Sequence, residues 1–480
     1  MRVAFFPFYM LSTPAFEIEL ELMLEHKNKG DDIYVVHCKG DLPLCQNQIS
    51  YHSVNLKKIN CFECKFRFDQ GIRLVGLPKE NIFPLNNKSR FNSFPEKFNS
   101  IEELKNFTVD GSNIGLGVAS TFLTTYMCDY TADCFLNHDV IINLLKTSVL
   151  IYETAIDVLN KTDADRAYIL NGRFHDVWPA ILACKKLGVE FLTFERGASI
   201  NKYWLLKNSH ILDLYYLKED IERLWVEKNI SIEEKIIIGK QWFQDKRDGV
   251  DRDWRSMTAN QRRDSLPSNL DLSKRNIGIF VSSNSERVTA PDYLDHPFED
   301  DYKVVEKILS HFEQDINYHF YVRMHPCLGV RNNQILQYEK IGQKYNNVTI
   351  IWPNMTIDSY KLLDVVETVI SFGSTIGIES IFWGKPVILA SRADYEDLSC
   401  YRPSSVDDLL HMLSKKLSVS DKSNAIKYGF YRSVFGEDYK YYQPKNFMSG
   451  LFLGKRLVPK YHWKNVILSC ARYLNNKIKS

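Results

Sequence analysis

The chain has 480 residues, of which 45% are hydrophobic and 25% charged, and its formal net charge is +2. This is the composition of a globular protein long enough for two domains and a tail, and it gives no global attraction to nucleic acid. No apolar run reaches the roughly 18 residues of a membrane span, and MRVAFFPFYML leads into the acidic FEIELELMLE without a small-residue cleavage site, so the chain reads as cytoplasmic.

The first third alternates strands and helices. VAFFPF reads as a buried strand, residues 15–27 as a helix stopped at Gly30, and DIYVVHC as a second strand. Residues 40–110 are rich in Asn, Lys, Phe and Pro and read as long loops. The pair Cys61 and Cys64 in CFEC lacks the second pair typical of a structural zinc site, so these read as plain thiols. Residues 114–160 read as helical. RAYIL, VWPAILACKKLG and VEFLTF then resume the strand–helix–strand rhythm, with loops at NGRFHD (171–176) and ERGAS (195–199). Such alternation predicts a parallel sheet covered on both faces.

Residues 227–275 carry dense charge of both signs and few aliphatics, and read as a helical or loose segment between domains. A second alternating series follows, with strands at NIGIFV, YHFYVRMHP, VTIIWP, TVISFG and PVILA. The expected organisation is an N-terminal Rossmann-like domain at 1–226, the charged segment at 227–275, a C-terminal Rossmann-like domain at 276–420, and C-terminal helices with a basic tail at 421–480. From Leu451 to Ser480 there are seven Lys or Arg and no Asp or Glu. Trp463, Ile467, Cys470, Leu474 and Ile478 form a rough apolar stripe at helical spacing. Such a tail docks on its own protein or meets an anionic membrane surface.

Ligands of open α/β sheets bind at the carboxyl ends of the strands. In the second domain those ends carry SSNSE (282–286), RMHP (323–326), PNMTIDS (353–359) and GSTIGIE (373–379). Gly373 permits a sharp exit from a buried strand, and Ser374 or Thr375 is placed to cap a helix whose first amides favour an anion. Gly377, Ser380 and Gly384 are small enough for close helix–sheet packing. Glu379, leaning toward the helix start, reaches a group beside that anion, such as a ribose hydroxyl. Arg323 suits bidentate pairing with phosphate, and His325 can donate to phosphate or ribose. The alternative reading of the turn is a well-capped core helix.

In the first domain the strand-end loops hold His175, Asp176 and Glu195, any one of which could serve as a base for an acceptor hydroxyl. Asn171, Arg173 and Arg196 would line the acceptor cleft. The competing reading is a salt-bridge cluster between domains.

RMHP, TIDSYKLLD and VISFGSTIGIESIFWGKPVI together resemble the donor half of GT-B glycosyltransferases, above all the Kdo-transferase-like group of bacterial capsule and lipopolysaccharide biosynthesis. The resemblance covers roughly residues 275–400 and is fainter over 165–200. It implies two Rossmann-like domains, an inter-domain cleft, a helical C-terminal tail, no essential metal and no cofactor beyond the nucleotide-sugar donor, whether CMP-, CDP-, UDP- or GDP-linked. It implies that His325, Ser374 and Thr375 hold the donor phosphate, that Glu379 touches ribose, and that Ser282 and Ser283 line the cleft. It also implies a glycan or lipid-linked glycan acceptor; the net charge argues for no nucleic acid partner, and the basic tail would hold the enzyme at the inner face of the cytoplasmic membrane. The second Glu of the E-x7-E retaining enzymes is missing, because positions 371 and 387 are Ser and Val. A nucleotide-sugar 2-epimerase and a non-catalytic nucleotide-binding protein are the other readings this pattern allows.

Overall fold

The structure, a computed structural model, describes residues 1–50, 57–86, 88–126, 138–250, 258–283, 289–298, 300–326, 328 and 333–457. Two sheets form its frame. The first contains β1 (Arg2–Phe5), β2 (Asp32–His37), β3 (Ile82–Pro84), β4 (Arg166–Leu170), β5 (Glu190–Arg196), β6 (Lys202–Lys207) and β12 (Glu437–Asp438), in the order β12-β6-β5-β4-β1-β2-β3. The second contains β7 (Arg275–Phe280), β8 (Tyr318–Arg323), β9 (Val348–Ile351), β10 (Thr368–Ser371) and β11 (Val387–Leu389), in the order β11-β10-β7-β8-β9. All pairs of the second sheet are parallel, as are those from β3 to β5 in the first. Each sheet winds one way from its first strand and then the other. This reversal falls between β1 and β4 in one domain and between β7 and β10 in the other. These are two Rossmann-like units in the GT-B arrangement that the resemblance implies.

Two parts of the sequence expectation change, and one of its alternatives, a helix in the charged stretch, is borne out. Residues 40–110 include a 19-residue helix, Lys57–Val75. Its apolar face is sparse, but Phe68, Ile72 and Val75 are buried, and a Cβ at Gly71 would lie 2.7 Å from Leu20. Close packing on the first helix therefore stabilises a segment whose composition looks like loop. The charged stretch 227–275 opens on a helix as well, Ile232–Asp248, capped by Ser231 and ended by Gly249 in the left-handed region. Trp242 and Phe243 bury its inner face, each worth about 2–3 kcal/mol. Finally, ERGAS is no crossover loop. Glu195 and Arg196 end β5, which turns back into the antiparallel β6. Gly197 permits that tight return, since a Cβ there would lie 2.7 Å from Lys202.

The cores do not divide where the charge pattern does. The helices Leu214–Glu227 and Ile232–Asp248 share a core with β10, β11 and the helix Ser423–Val434. The opposite face of the second sheet has its own core around Ile308, Val322 and Tyr338. Beyond Val434 the chain returns to the first domain. There β12 pairs with β6, and Tyr442, Phe452 and Leu457 enter the first core. The intervening hairpin joins β13 (Tyr442–Asn446) to β14 (Ser449–Phe452). The helical stripe expected at 463–478 lies outside the described residues. Among the described residues no helix is long and apolar enough to cross a membrane.

Candidate functional site

The reversal in the second sheet opens a cavity of about 130 Å³ at the carboxyl ends of β7, β8 and β10. Arg323, His325, Ser374, Thr375 and Glu379 all line it. The Gly-Ser-Thr turn thus meets the RMHP loop as expected. Ser282 and Ser283 do not line this cavity. The Ser282 carbonyl instead accepts from Gln334 Nε2 at 3.0 Å, which ties the loop back to the sheet's own helices.

Arg323 is 4% exposed, and its Nη1 donates to the Trp352 carbonyl at 3.2 Å. Among the described residues its buried Nε has no hydrogen-bond partner and no carboxylate pairs with it. Burial alone lowers its pKa to about 10, so it remains a cation at neutral pH. Glu379 is also buried and accepts a hydrogen bond from the Tyr360 hydroxyl. That contact, with burial, pushes the Tyr360 phenol well above its usual range.

The turn itself differs in detail from its sequence reading. Gly373 has φ +78, which explains the glycine. Thr375 stands at the N-cap, but no side-chain cap bond forms, because Thr375 is itself in helical geometry. The helix Ile376–Phe382 is only seven residues long. Its dipole is a minor contributor beside the full charge of the buried Arg323. Gly377 does serve close packing, since a Cβ would come 2.5 Å from the Tyr395 hydroxyl. Gly384 instead ends the helix at φ +78, where an added Cβ would meet no atom nearer than 4.0 Å.

Sequence reasoning missed the roof of this cavity. Lys246, Thr258 and Gln261 line it from the charged segment. Gln261 Oε1 accepts from the Ser359 amide at 2.8 Å, and the Arg262 amide donates to the Thr356 carbonyl at 2.7 Å. The mixed charge of this stretch gave no sign that it folds over a strand-end loop.

The first domain has a larger cavity, about 580 Å³, at the matching reversal between β1 and β4. Asn171, Glu195 and Arg196 line it; Arg173 does not. Arg173 is buried, donates to Thr124 Oγ1 at 3.1 Å and lies over the Phe174 ring. Asn171 adopts φ 57, a conformation that Asn tolerates, and its Nδ2 donates to Glu195 Oε2 at 2.9 Å. The Arg196 amide donates to Glu195 Oε1 at 3.0 Å. The carboxylate is therefore fixed at the cavity wall.

The other two base candidates are 0% exposed. His175 bridges Thr121 Oγ1 and the Leu44 carbonyl, each at 3.1 Å, so both ring nitrogens bond within the core. Asp176 accepts from the Tyr9 hydroxyl at 2.9 Å and from the Gln46 amide at 3.3 Å. Neither reaches the cavity directly, although Tyr9 lines it. Of the three, Glu195 alone faces the space an acceptor would fill.

A third cavity of about 340 Å³ lies between the other two. It shares Thr375 with the small one and Trp204, Ile211, Arg432 and Phe435 with the large one; Gly373 lines it too. The three spaces are thus neighbours that share wall residues.

No family model matches the chain, and no curated protein matches it. Among solved structures, a beta Kdo 2,4 transferase, KpsC of Thermosulfurimonas dismutans, is similar at 12% identity and TM-score 0.37, over 55% of this chain and 78% of that one. The UDP-GlcNAc 2-epimerase of Methanocaldococcus jannaschii, in complex with UDP-GlcNAc and UDP, is similar at 10% identity and TM-score 0.29, over 89% of this chain and 98% of that one. CalG4, the calicheamicin glycosyltransferase, is similar at 11% identity and TM-score 0.27, over 90% of this chain and 93% of that one. Superposition this loose bears on neither reaction nor substrate.

Proposed function

We propose that this protein is a glycosyltransferase that moves a sugar from a nucleotide-activated donor to a hydroxyl of a saccharide or lipid-linked acceptor. Arg323 carries the reading. A buried guanidinium without a counter-charge is costly, and a phosphate would supply that charge through a bidentate contact. His325, Ser374 and Thr375 add donors around the same space. Glu379, held by Tyr360, would accept from a ribose hydroxyl.

As the sugar–phosphate bond breaks, negative charge grows on the leaving phosphate, and Arg323 and His325 stabilise it. Glu195 takes the proton of the attacking hydroxyl. The middle cavity gives the sugar its path between them. In this reading Arg323 is the cation that meets the phosphate, and no metal ion is required. The acceptor cavity favours transfer over 2-epimerisation, which has no acceptor to bind. The resemblance of the second domain to capsule and lipopolysaccharide enzymes supports a surface polysaccharide as product, made at the cytoplasmic face of the membrane.

The test is thermal-shift titration with CMP, CDP, UDP and GDP, followed by NMR of the protein with single nucleotide sugars. One nucleotide should raise Tm by mass action, and the matching nucleotide sugar should turn over only when acceptors are added. Conversion of a UDP-sugar alone would favour the epimerase. Stabilisation by none of the four nucleotides would overturn the proposal.

A further inference from the structure

Part of the wall of the large cavity comes from the far end of the described chain. Pro444, Asn446, Phe447 and Met448 of the β13–β14 hairpin line it, near Trp204 and Tyr9. This hairpin belongs to neither main sheet. Its base is fixed unusually firmly. Glu21, 0% exposed in the first helix, accepts from the amides of Lys440, Tyr441 and Tyr442. Tyr442 and Phe452 are buried in the first core. The tip, by contrast, is open: Met448 is 63% exposed, and its sulfur lies 3.7 Å from Arg196 Nη2. The same Arg196 nitrogen donates to the Thr13 carbonyl at 2.9 Å, so the tip, the end of β5 and the loop after β1 meet at one guanidinium.

We infer that this hairpin selects the acceptor, and that the acceptor carries an apolar aglycone which packs on Phe447 and Met448 while its sugar hydroxyl faces Glu195. This rests on the glycosyltransferase reading and adds the chemical class of the acceptor. Its basis is what the hairpin tip adds to the cavity. Glu195, Asn171 and Arg196 supply polar groups at the strand end, and the tip sets a ring and a thioether in the same wall, the thioether beside Arg196. A free sugar is polar on most of its surface and would gain little from that tip. An alkyl chain or aryl group gains by removing apolar area from water, and a thioether adapts to either shape. An exposed tip on a clamped base allows entry while holding the wall in place.

The experiment compares methyl and hexyl glycosides of the same sugars, below micelle-forming concentrations, by saturation-transfer NMR and Kd titration. Hexyl glycosides should bind at least about tenfold more tightly than methyl ones. Phe447→Ser with Met448→Ser should abolish most of that preference. Because both residues sit at the tip, a melting temperature close to wild type is expected and is checked first. Glu21→Gln, which weakens the clamp behind the tip, should reduce the preference less. An equal affinity for both glycosides, or a preference that survives in the double variant, would overturn the inference. Nucleotide stabilisation of the wild-type protein is measured alongside. If nucleotides bind and the aglycone makes no difference, only the acceptor class is wrong. If no nucleotide binds, the glycosyltransferase reading itself fails.

Discussion

The two domains place a cavity at the same topological position, where the strand order reverses, yet they build it differently. Beneath a roof from residues 246–261, the second domain uses short loops at the ends of neighbouring strands, between Phe280 and Glu379. The first domain assembles its wall from residues 9–15, 170–211 and 432–448. One is small and centred on a buried cation. The other is several times larger, with a carboxylate set among aromatic groups. A shared fold thus gives the place of a site, while the loops and returning segments give its chemistry.

The severest test of this division of labour is Glu195→Gln. Loss of the proposed base should lower kcat for transfer by about 10²–10⁴-fold and leave nucleotide affinity near wild type. Equal loss of nucleotide binding would mean that the cavities do not divide the work. Arg323→Ala should do the reverse, lowering kcat/KM for the donor by about 10²-fold or more and abolishing the nucleotide-induced rise in Tm. An unchanged donor kcat/KM would remove Arg323 from the site.

Acid separates the domains on a different axis. Burial lowers the pKa of His37, in the first domain, to about 4, and it also lowers those of His26 and His210 there and of His319 in the second domain. These groups are neutral when folded and take up protons on unfolding. Stability is therefore full above the unfolded value near 6.5 and is lost as pH falls through that window toward 4, by up to about 3 kcal/mol for His37. The first domain should open first, seen by hydrogen exchange, and His37→Phe should flatten the slope. The smallest expected effect is Tyr360→Phe. Without its hydroxyl donor Glu379 is less well held, and nucleotide affinity should weaken by roughly tenfold or less.

The same contrast explains what the sequence disclosed. Residues 275–400 keep a regular rhythm, so strand ends could be located and Arg323, His325, Thr375 and Glu379 placed on one edge. Glu195 was also found from its strand end, but nothing in ERGAS distinguished it from His175 and Asp176. Burial made that distinction, and burial depends on Leu44, Thr121 and Gln46, far away in the chain. The parts that stayed hidden are those made by distant segments: Lys246 and Gln261 over the small cavity, and Phe447 and Met448 beside the large one. The helix Lys57–Val75 was missed for a related reason, since its stability comes from Phe16 and Leu20 rather than from its own pattern.

The clamp at Glu21 sets an order of events during synthesis. Glu21 and Lys440 are 419 residues apart, and the edge strand β12 and the core residues Tyr442, Phe452 and Leu457 arrive equally late. A ribosome adds about 5–20 residues per second, so the first domain waits tens of seconds for its last pieces while the second domain is translated and folds. During that interval the acidic first helix holds a carboxylate destined for burial with no partner, and one wall of the large cavity is missing. A chain released before residue 444 would lack the hairpin part of that wall. Completion of the large cavity's wall thereby reports that translation has passed residue 448.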